Sequence, residues 1–185
     1  MKKIQLMAVA VAAVGVLALS GCGYNKTIAL EETVKSQWAQ VDNQLKRRYD
    51  LIPNLVETVK GYATHEMELF TKIAEVRKSY FSATDQGEKI KASNQMEGLL
   101  SRLLVLKETY PTLKANEGFL KLQDQLEGTE NRIAVERKRY NDAVRELNTY
   151  IRGIPGVWWA SLTGVKAATY FEIPEAEKAA PKVKF

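Results

Sequence analysis

Cysteine is the residue type that stands out for chemistry, because the chain contains only one. Cys22 follows an uncharged run at 4–19 and completes the sequence Leu-Ser-Gly-Cys at positions 19–22. A single thiol cannot form an internal disulfide, and the sequence has no histidine cluster that would make this thiol a metal ligand. A thiolate is, however, a strong nucleophile and can form a thioether with a lipid. The thiol of Cys22 therefore needs a role other than a disulfide or a metal site.

Residues 1–21 have the order of a secretory signal peptide, with basic Lys2 and Lys3, an apolar run and then small residues. The run of 16 residues would be about 24 Å long as a helix, shorter than the bilayer's hydrocarbon core of about 30 Å. Leu-Ser-Gly-Cys resembles the lipobox of bacterial lipoproteins. That resemblance implies cleavage before Cys22 and attachment of diacylglycerol to its thiol. The alternative is an uncleaved transmembrane helix in which Cys22 is incidental.

These features predict four parts of the chain: a signal peptide at 1–21, a lipidated tether at 22–26, a helical domain at 27–171 and an extended tail at 172–185. Two or three acyl chains anchor a protein stably to membrane lipid, where one chain would not. We expect the domain in the cell envelope, facing the periplasm or the exterior. Gly23 follows the cysteine instead of Asp, which by resemblance to other lipoproteins favours the outer membrane in a Gram-negative cell.

Charge argues against a nucleic-acid partner. The whole chain has a formal charge of +5, and without Lys2 and Lys3 it keeps 25 basic and 22 acidic residues, a charge of +3. The basic residues are interleaved with acidic ones along helical stretches, which is typical of a solvated helix face and not of a nucleic-acid footprint. We therefore expect no nucleic-acid partner.

The usual catalytic motifs are incomplete in this sequence. His65-Glu66 begins the zinc-protease pattern, but the second histidine would have to be at position 69, where Leu69 stands. Neighbouring carboxylates such as Glu31 and Glu32 point to different sides of a helix, whereas glycosidases need two carboxylates across a cleft. The sequence also lacks a phosphate-binding glycine loop and a Gly-x-Ser-x-Gly elbow. We predict a non-enzymatic protein without a metal or cofactor.

The sequence predicts helices as the framework that holds these residues. Apolar residues recur at helical spacing from about Thr27 onward, and no stretch alternates with period two for long enough to form a sheet. The predicted fold class is all-α, an antiparallel bundle of about four long helices with short connections. In the last helix, expected at about 116–152, apolar residues seven positions apart form one seam: Phe119, Leu126, Ile133, Tyr140 and Leu147.

Pro53 interrupts the first apolar stripe. Proline lacks a backbone N–H and disfavours helical geometry at the residue before it, and Asp50 could cap a restarted helix. We therefore expect the first helix to be kinked or broken near Pro53. The pattern then resumes, runs through Gly61 and ends near 85–87, and a third helix is expected at about 89–110.

Polar side chains cluster around this proline: Arg47, Arg48, Tyr49, Asp50 and Asn54. One interpretation is that they cap exposed backbone and pair across the bend. The other is a docking site, because planar arginine side chains beside Tyr and Asp can bind carboxyl groups of a partner.

Trp158 and Trp159 lie in a segment rich in glycine and bulky apolar residues, after Arg152. One interpretation is a loop and short helix whose tryptophans cap one end of the bundle, since large aromatic side chains are usually substantially buried. The other is an exposed patch that contacts lipid or a partner, because tryptophan favours membrane interfaces and binding hot spots.

Residues 47–63, with the sequence RRYDLIPNLVETVKGYA, closely resemble the LemA family of bacterial envelope proteins. The likeness extends over nearly the whole mature chain, including Gly23, Tyr24, Asn25, Trp38, His65, Glu66, Arg77, Tyr140, Asn141 and 181–185. The resemblance implies an antiparallel helical bundle held at a membrane by its N-terminus, with no established enzymatic activity. The chain departs from the family pattern at 154–159, where a Phe-Pro turn without paired tryptophans is expected.

The sequence thus favours a lipid-anchored binding or scaffolding module, with an envelope protein of unknown identity as its partner. The rival is an enzyme, or an accessory subunit of one, that acts on envelope polymers. It would require His65 or buried carboxylates to converge in a pocket with strongly shifted pKa values. A third possibility is a bundle that binds lipid directly, which would require exposed tryptophans near the membrane-facing end.

Overall fold

A computed structural model describes the backbone of residues 2–172 and the side chains of residues 23–172. The predicted all-α class is confirmed, since these residues contain helices and no strand. The helices are α1 (Lys2–Lys60), α2 (Met67–Ser82), α3 (Gln86–Thr109), α4 (Pro111–Lys114), α5 (Glu117–Arg152) and α6 (Gly156–Thr163). The predicted lipid on Cys22 and the predicted extended tail lie outside the described side chains, so both stay predictions.

The chain forms two compact units. The first unit comprises Met1–Ala39 and Arg139–Tyr170, and the second comprises Gln40–Lys138 and Phe171–Phe185. Because α1 and α5 are long, each of them contributes residues to both units. Among the residues with described side chains, no helical stretch is both long enough and apolar enough to span a bilayer.

In the first unit, α1 packs antiparallel to α5. The ring centroids of Trp38 and Tyr140 are 5.4 Å apart. Nearer the start of α1, the hydroxyl of Tyr150 donates a hydrogen bond of 3.2 Å to the carbonyl of Gly23. Later residues of α5 therefore contact earlier residues of α1. The same pair of helices buries aliphatic side chains between them: Leu30, Val34, Val144 and Leu147.

In the second unit, the same antiparallel order holds. Arg48 of α1 pairs with Glu130 of α5 at 2.7 Å, and Asn116 donates a hydrogen bond of 2.8 Å to the hydroxyl of Tyr62. Helices α2 and α3 form a hairpin. Asp85 is the N-terminal cap of α3, and its carboxylate accepts a hydrogen bond of 3.1 Å from the backbone N–H of Glu88. The core of this unit draws on all four long helices: Leu45, Ile52, Leu55, Ile73, Met96, Leu103, Phe119 and Ile133.

The predicted seam of α5 is confirmed. Its five apolar residues, seven positions apart, are all at most 5% exposed: Phe119, Leu126, Ile133, Tyr140 and Leu147. The predicted bounds of this helix were 116–152, and the structure places it at Glu117–Arg152. A repeat that keeps one face against a neighbour is the most reliable helical signal in a sequence, because burial requires it.

Helix boundaries in α1 differ from the prediction. The helix does not begin near Thr27, because α1 is helical from Lys2, and it does not break at Pro53, because helical backbone continues to Lys60. Pro53 itself is exposed, while Ile52, Leu55 and Val56 beside it are buried. Burial on this face stabilises the helix on both sides of the proline, against the loss of one backbone hydrogen bond.

The helix ends instead at Gly61, where we expected it to continue. The backbone N–H groups of Tyr62 and Ala63 both donate to the carbonyl of Val59 at 2.9 Å, which closes a turn before α2 begins at Met67. Ala63 is fully buried and fixes this turn against the core of the second unit. The predicted continuous helix through Gly61 was wrong, because periodicity alone does not reveal a turn whose residues keep the apolar spacing.

Candidate functional site

The five polar residues around Pro53 do not form one surface. Arg48 and Tyr49 are buried, at 7% and 1% exposure, whereas Arg47, Asp50 and Asn54 are exposed. A helix turns by about 100° per residue, so consecutive residues cannot all face the same side. The surface available to a partner is therefore confined to the three exposed residues of the cluster.

Arg48 holds α1 against α5 in the second unit. One guanidinium nitrogen, Nη1, lies 2.7 Å from a carboxylate oxygen of Glu130, and the side chain of Arg48 is 9% exposed. A buried guanidinium without a carboxylate would be strongly destabilising. This arginine thus supports the interpretation that part of the cluster pairs within the fold.

Tyr49 is part of an aromatic stack. Its ring is 4.2 Å from the ring of Tyr80 in a stacked arrangement and 5.8 Å from the ring of Phe81 at its edge. Nε of Arg77 donates to the backbone carbonyl of Tyr49 at 3.3 Å. Burial raises the pKa of the Tyr49 hydroxyl, against the positive charge of Arg48. The hydroxyl oxygen is buried without a hydrogen-bond partner among the described residues, so this side chain serves packing rather than recognition.

A carboxylate that sequence reasoning missed joins three helices of the second unit. Asp42 of α1 accepts hydrogen bonds on Oδ1 from the Tyr80 hydroxyl of α2, at 2.7 Å, and from Nζ of Lys89 of α3, at 3.0 Å. Its other oxygen lies 2.7 Å from Nζ of Lys46. Burial acts to raise the pKa of Asp42, but the hydrogen bonds from Lys46, Tyr80 and Lys89 outweigh it and lower the pKa below its usual value.

Arg47 borders an open groove between α1 and α5 of the second unit. The groove has a volume of about 440 Å³ and is lined by Arg47, Leu51, Lys121, Asp124, Gln125, Gly128, Thr129 and Arg132. Three of these side chains are basic and one is acidic. A Cβ added at Gly128 would have Nη2 of Arg132 as its nearest neighbour, at 4.0 Å, so the space beside this glycine is open. The groove can therefore accept carboxylates from a partner.

The remaining exposed cluster residues lie elsewhere. Asp50 borders a separate shallow groove with Arg77, Lys78 and Phe81, also in the second unit. Asn54 is exposed, and its backbone carbonyl accepts a hydrogen bond of 2.8 Å from the hydroxyl of Thr58. The structure therefore separates Arg47 from Asp50 and Asn54. It places Lys121 and Arg132 of α5 beside Arg47, a grouping that their positions along the chain did not indicate.

The two tryptophans have different environments within the first unit. Trp158 is 64% exposed, whereas Trp159 is half-buried against Gly23. The environment of Trp159 thus agrees with a tryptophan that packs on the bundle, and that of Trp158 agrees with a tryptophan in an exposed patch. His65, which the enzymatic rival would place in a pocket as one alternative to buried carboxylates, is exposed in the turn between α1 and α2. Among the described residues, no group of three His, Cys, Asp or Glu side chains could hold a metal ion.

The sequence match that identifies the chain covers all of the second unit, the part of the first unit at 37–39 and 139–170, and both tryptophans of α6. The family model described as LemA family matches residues 37–185. The chain belongs to the LemA family. Curated relatives include the magnetosome proteins MamQ 1 and MamQ 2 of Paramagnetospirillum magneticum, each 25% identical over 80% of this chain. Protein LemA of Metamycoplasma hominis is 23% identical over 72% of this chain.

This LemA-family chain spans 64% of the length of the two MamQ relatives and 61% of the Metamycoplasma protein. The family match includes every residue that lines the Arg47 groove and all of α6. It begins after Gly23 and the apolar run, so the N-terminal features of this LemA-family protein are judged from its own sequence and contacts.

Proposed function

We propose that this LemA-family chain is a non-enzymatic binding module, tethered to a bacterial envelope membrane through a lipid on Cys22. Its partner is an acidic segment of another envelope protein, bound in the Arg47 groove. The observation that supports this proposal most strongly is the convergence of Arg47 of α1 with Lys121 and Arg132 of α5 around one open groove.

The chemistry of the groove suits a carboxylate-rich partner. Arginine presents a planar fork of donors that can bind a carboxylate at two points, and lysine adds a point charge. Asp124 disfavours an acidic side chain directly beside it and so helps to fix the register of the partner. Arg47 and Arg132 are therefore expected to contribute most to binding, with Lys121 mainly speeding association.

The scaffold on which the groove lies suits a binding module. A module that holds envelope components together would need exposed grooves on a stable helical scaffold, and this chain offers such a groove on two long antiparallel helices.

The test is site-specific photocrosslinking in living cells. A photoreactive amino acid replaces Gln125 inside the groove and, as a matched control, exposed Glu75 on α2. We expect one defined adduct from position 125 that is absent from position 75. The adduct should be lost when Arg47→Glu and Arg132→Glu are combined, because two repulsive charges would face the acidic partner.

The control for charge itself is the pair Lys91→Glu and Lys138→Glu, which makes the same change in net charge at exposed positions outside the groove. This pair should leave the adduct at position 125 intact. Adducts that are identical at positions 125 and 75, or that survive reversal of Arg47 and Arg132, would contradict the proposed groove.

A further inference from the structure

Helix α6 exposes large apolar side chains and buries small ones. Trp158 and Leu162 are 64% and 70% exposed, and Ile154 just before the helix is 77% exposed. The residues of α6 that are buried are Gly156 and Ala160. A helix packed only for the stability of a water-soluble domain would show the opposite arrangement, with its large apolar residues inward. We therefore expect another molecule to cover the outward apolar face of α6.

The same helix lies beside the residue that follows Cys22. A Cβ added at Gly23 would lie 2.1 Å from Nε1 and 2.4 Å from Cδ1 of Trp159, so the indole packs directly on the glycine backbone. The carbonyl of Gly23 accepts hydrogen bonds from Thr27, at 2.9 Å, and from the Tyr150 hydroxyl, at 3.2 Å. These contacts, all within the first unit, place α6 where the apolar run of α1 meets the folded domain.

The two segments that form this contact are basic, although Lys26 also lines an open groove of the first unit together with Asp142 and Glu146. Residues 1–30 and 152–171 contain no Asp or Glu, and they carry the exposed basic residues Lys26, Arg152 and Lys166. Nζ of Lys26 lies 4.9 Å from the centre of the Tyr150 ring. Basic residues flanking exposed aromatic and aliphatic side chains are the pattern of a segment that lies in the interface of a membrane with anionic lipids.

We propose that α6 lies in the headgroup region of an anionic bilayer, with Trp158 and Leu162 inserted between lipids and the three basic residues against phosphate groups. This inference rests on the proposed membrane tether at Cys22, because the tether brings Gly23 and therefore α6 to the bilayer surface. Tryptophan and tyrosine prefer this interfacial layer, where one part of the ring is apolar and the other can hydrogen-bond. The bilayer accounts for the apolar face, the basic rim and the position beside the anchor together.

The experiment uses the full chain extracted from bacterial membranes and reconstituted in phosphatidylglycerol vesicles with lipids brominated near the headgroup. The combined changes Trp38→Phe and Trp159→Phe leave Trp158 as the fluorophore. The control combines Trp158→Phe and Trp159→Phe and leaves Trp38, which is buried in the first unit. Circular dichroism checks that both variants keep their helices. We expect severalfold stronger quenching of Trp158 than of Trp38.

Flotation of the same vesicles separates the two proposals. Protein that does not float with vesicles overturns the tether and the inference together. Protein that floats while Trp158 stays as unquenched as Trp38 overturns the inference alone and assigns the apolar face to a protein occupant. Changing Lys26, Arg152 and Lys166 to Gln should reduce quenching of Trp158 in phosphatidylglycerol towards the value in phosphatidylcholine. Equal quenching before and after this change would contradict the proposed contact with anionic headgroups.

Discussion

Asp42 shows how one charged residue can be part of a core. Its side chain is 12% exposed, and it accepts from donors on α1, α2 and α3. The signal for this role was present in the sequence, because position 42 lies four residues after Trp38 and three before Leu45, on the face that α1 buries. The sequence-based interpretation missed Asp42 because of its residue type, since an aspartate on an apolar stripe is ordinarily counted as exposed.

Replacing Asp42 with Asn should destabilise the protein at neutral pH by about 2 kcal/mol, because Lys46, Tyr80 and Lys89 lose the charge to which they donate. Chemical unfolding followed by circular dichroism measures this change. The matched control is Asp142→Asn, which removes an exposed carboxylate paired with Arg145 at 2.8 Å. The control should cost less than about 1 kcal/mol.

The pH dependence of the stability of wild-type protein and of Asp42→Asn tests whether the charge of Asp42 is the cause of the difference. The folded protein lowers the pKa of Asp42, so the stability that this carboxylate contributes is present above its ordinary value of 3.8 and is lost as pH falls through the lowered pKa. Wild-type protein should therefore approach the stability of Asp42→Asn as the solution is acidified below that value. A constant difference between the two proteins down to low pH would show that Asp42 acts through packing instead.

Arg48 and Tyr49, like Asp42, were interpreted by residue type although their spacing indicated burial. Positions 41, 45, 48, 49 and 52 follow one helical stripe, so spacing alone placed both residues on the buried face. The sequence-based interpretation grouped them with Arg47 by type and proximity along the chain. The grouping that the structure shows for Arg47, with Lys121 and Arg132, depends on how α1 pairs with α5, and a single sequence does not contain that register.

At the scale of elements, glycines influence where a helix ends and how closely two segments of backbone pack. The sequence alone did not show which glycine ends a helix and which lies inside one. Gly61 ends α1, whereas Gly98 and Gly128 lie inside α3 and α5. Local propensity is similar at all three positions, since glycine lowers helix stability wherever it occurs. The turn at Gly61 forms because the following Ala63 is buried, which is a tertiary effect.

Gly156, at the start of α6, should not tolerate a side chain. A Cβ there would lie 2.0 Å from the backbone carbonyl oxygen of Tyr150 and 2.8 Å from its carbon, and backbone atoms cannot rotate away as a side chain can. We expect Gly156→Ala to lower the free energy of unfolding by about 1–3 kcal/mol, the usual cost of overpacking. Thermal and chemical unfolding of the purified variant would measure it.

Gly98→Ala is the matched control for this helix-level prediction. A Cβ at Gly98 would meet nothing within 4 Å, and the residue is exposed inside α3. Alanine should therefore stabilise the protein by up to about 1 kcal/mol through helix propensity alone. Two changes of the same sign and size would show that the packing of Gly156 on Tyr150 does not limit stability.

At the scale of the whole molecule, the sequence was sufficient for the fold class and the family and insufficient for the partner. Helical periodicity repeats over the long helices, so errors at Pro53 and Gly61 left the all-α prediction intact. A partner is different, because recognition depends on the complementary surface of another molecule. The Arg47 groove and the outward face of α6 became visible only when distant segments were brought together.

The proposed tether makes a prediction for the intact protein. The mass of chain extracted from bacterial membranes should lack residues 1–21 and include the mass of acyl groups, because the thiol of Cys22 is the nucleophile that the lipid needs. The variant Cys22→Ser should keep its first 21 residues and carry no lipid. Two proteins that both retain Met1 without added mass would show that the N-terminal segment is an uncleaved anchor.

The packing of Trp159 on Gly23 also bears on the order of two events, processing at Cys22 and docking of α6. Gly23 is the residue next to Cys22, and its backbone lies in α1 beneath an indole that a single methyl group would displace. An enzyme that modifies Cys22 or cuts before it needs access to this stretch of chain, and the docked indole closes one side of it. During synthesis the N-terminal region emerges first, long before the residues of α6. If Cys22 is processed as proposed, its lipidation and the cleavage before it would belong to the interval before α6 docks, and a chain that folds too early would shield its own processing site.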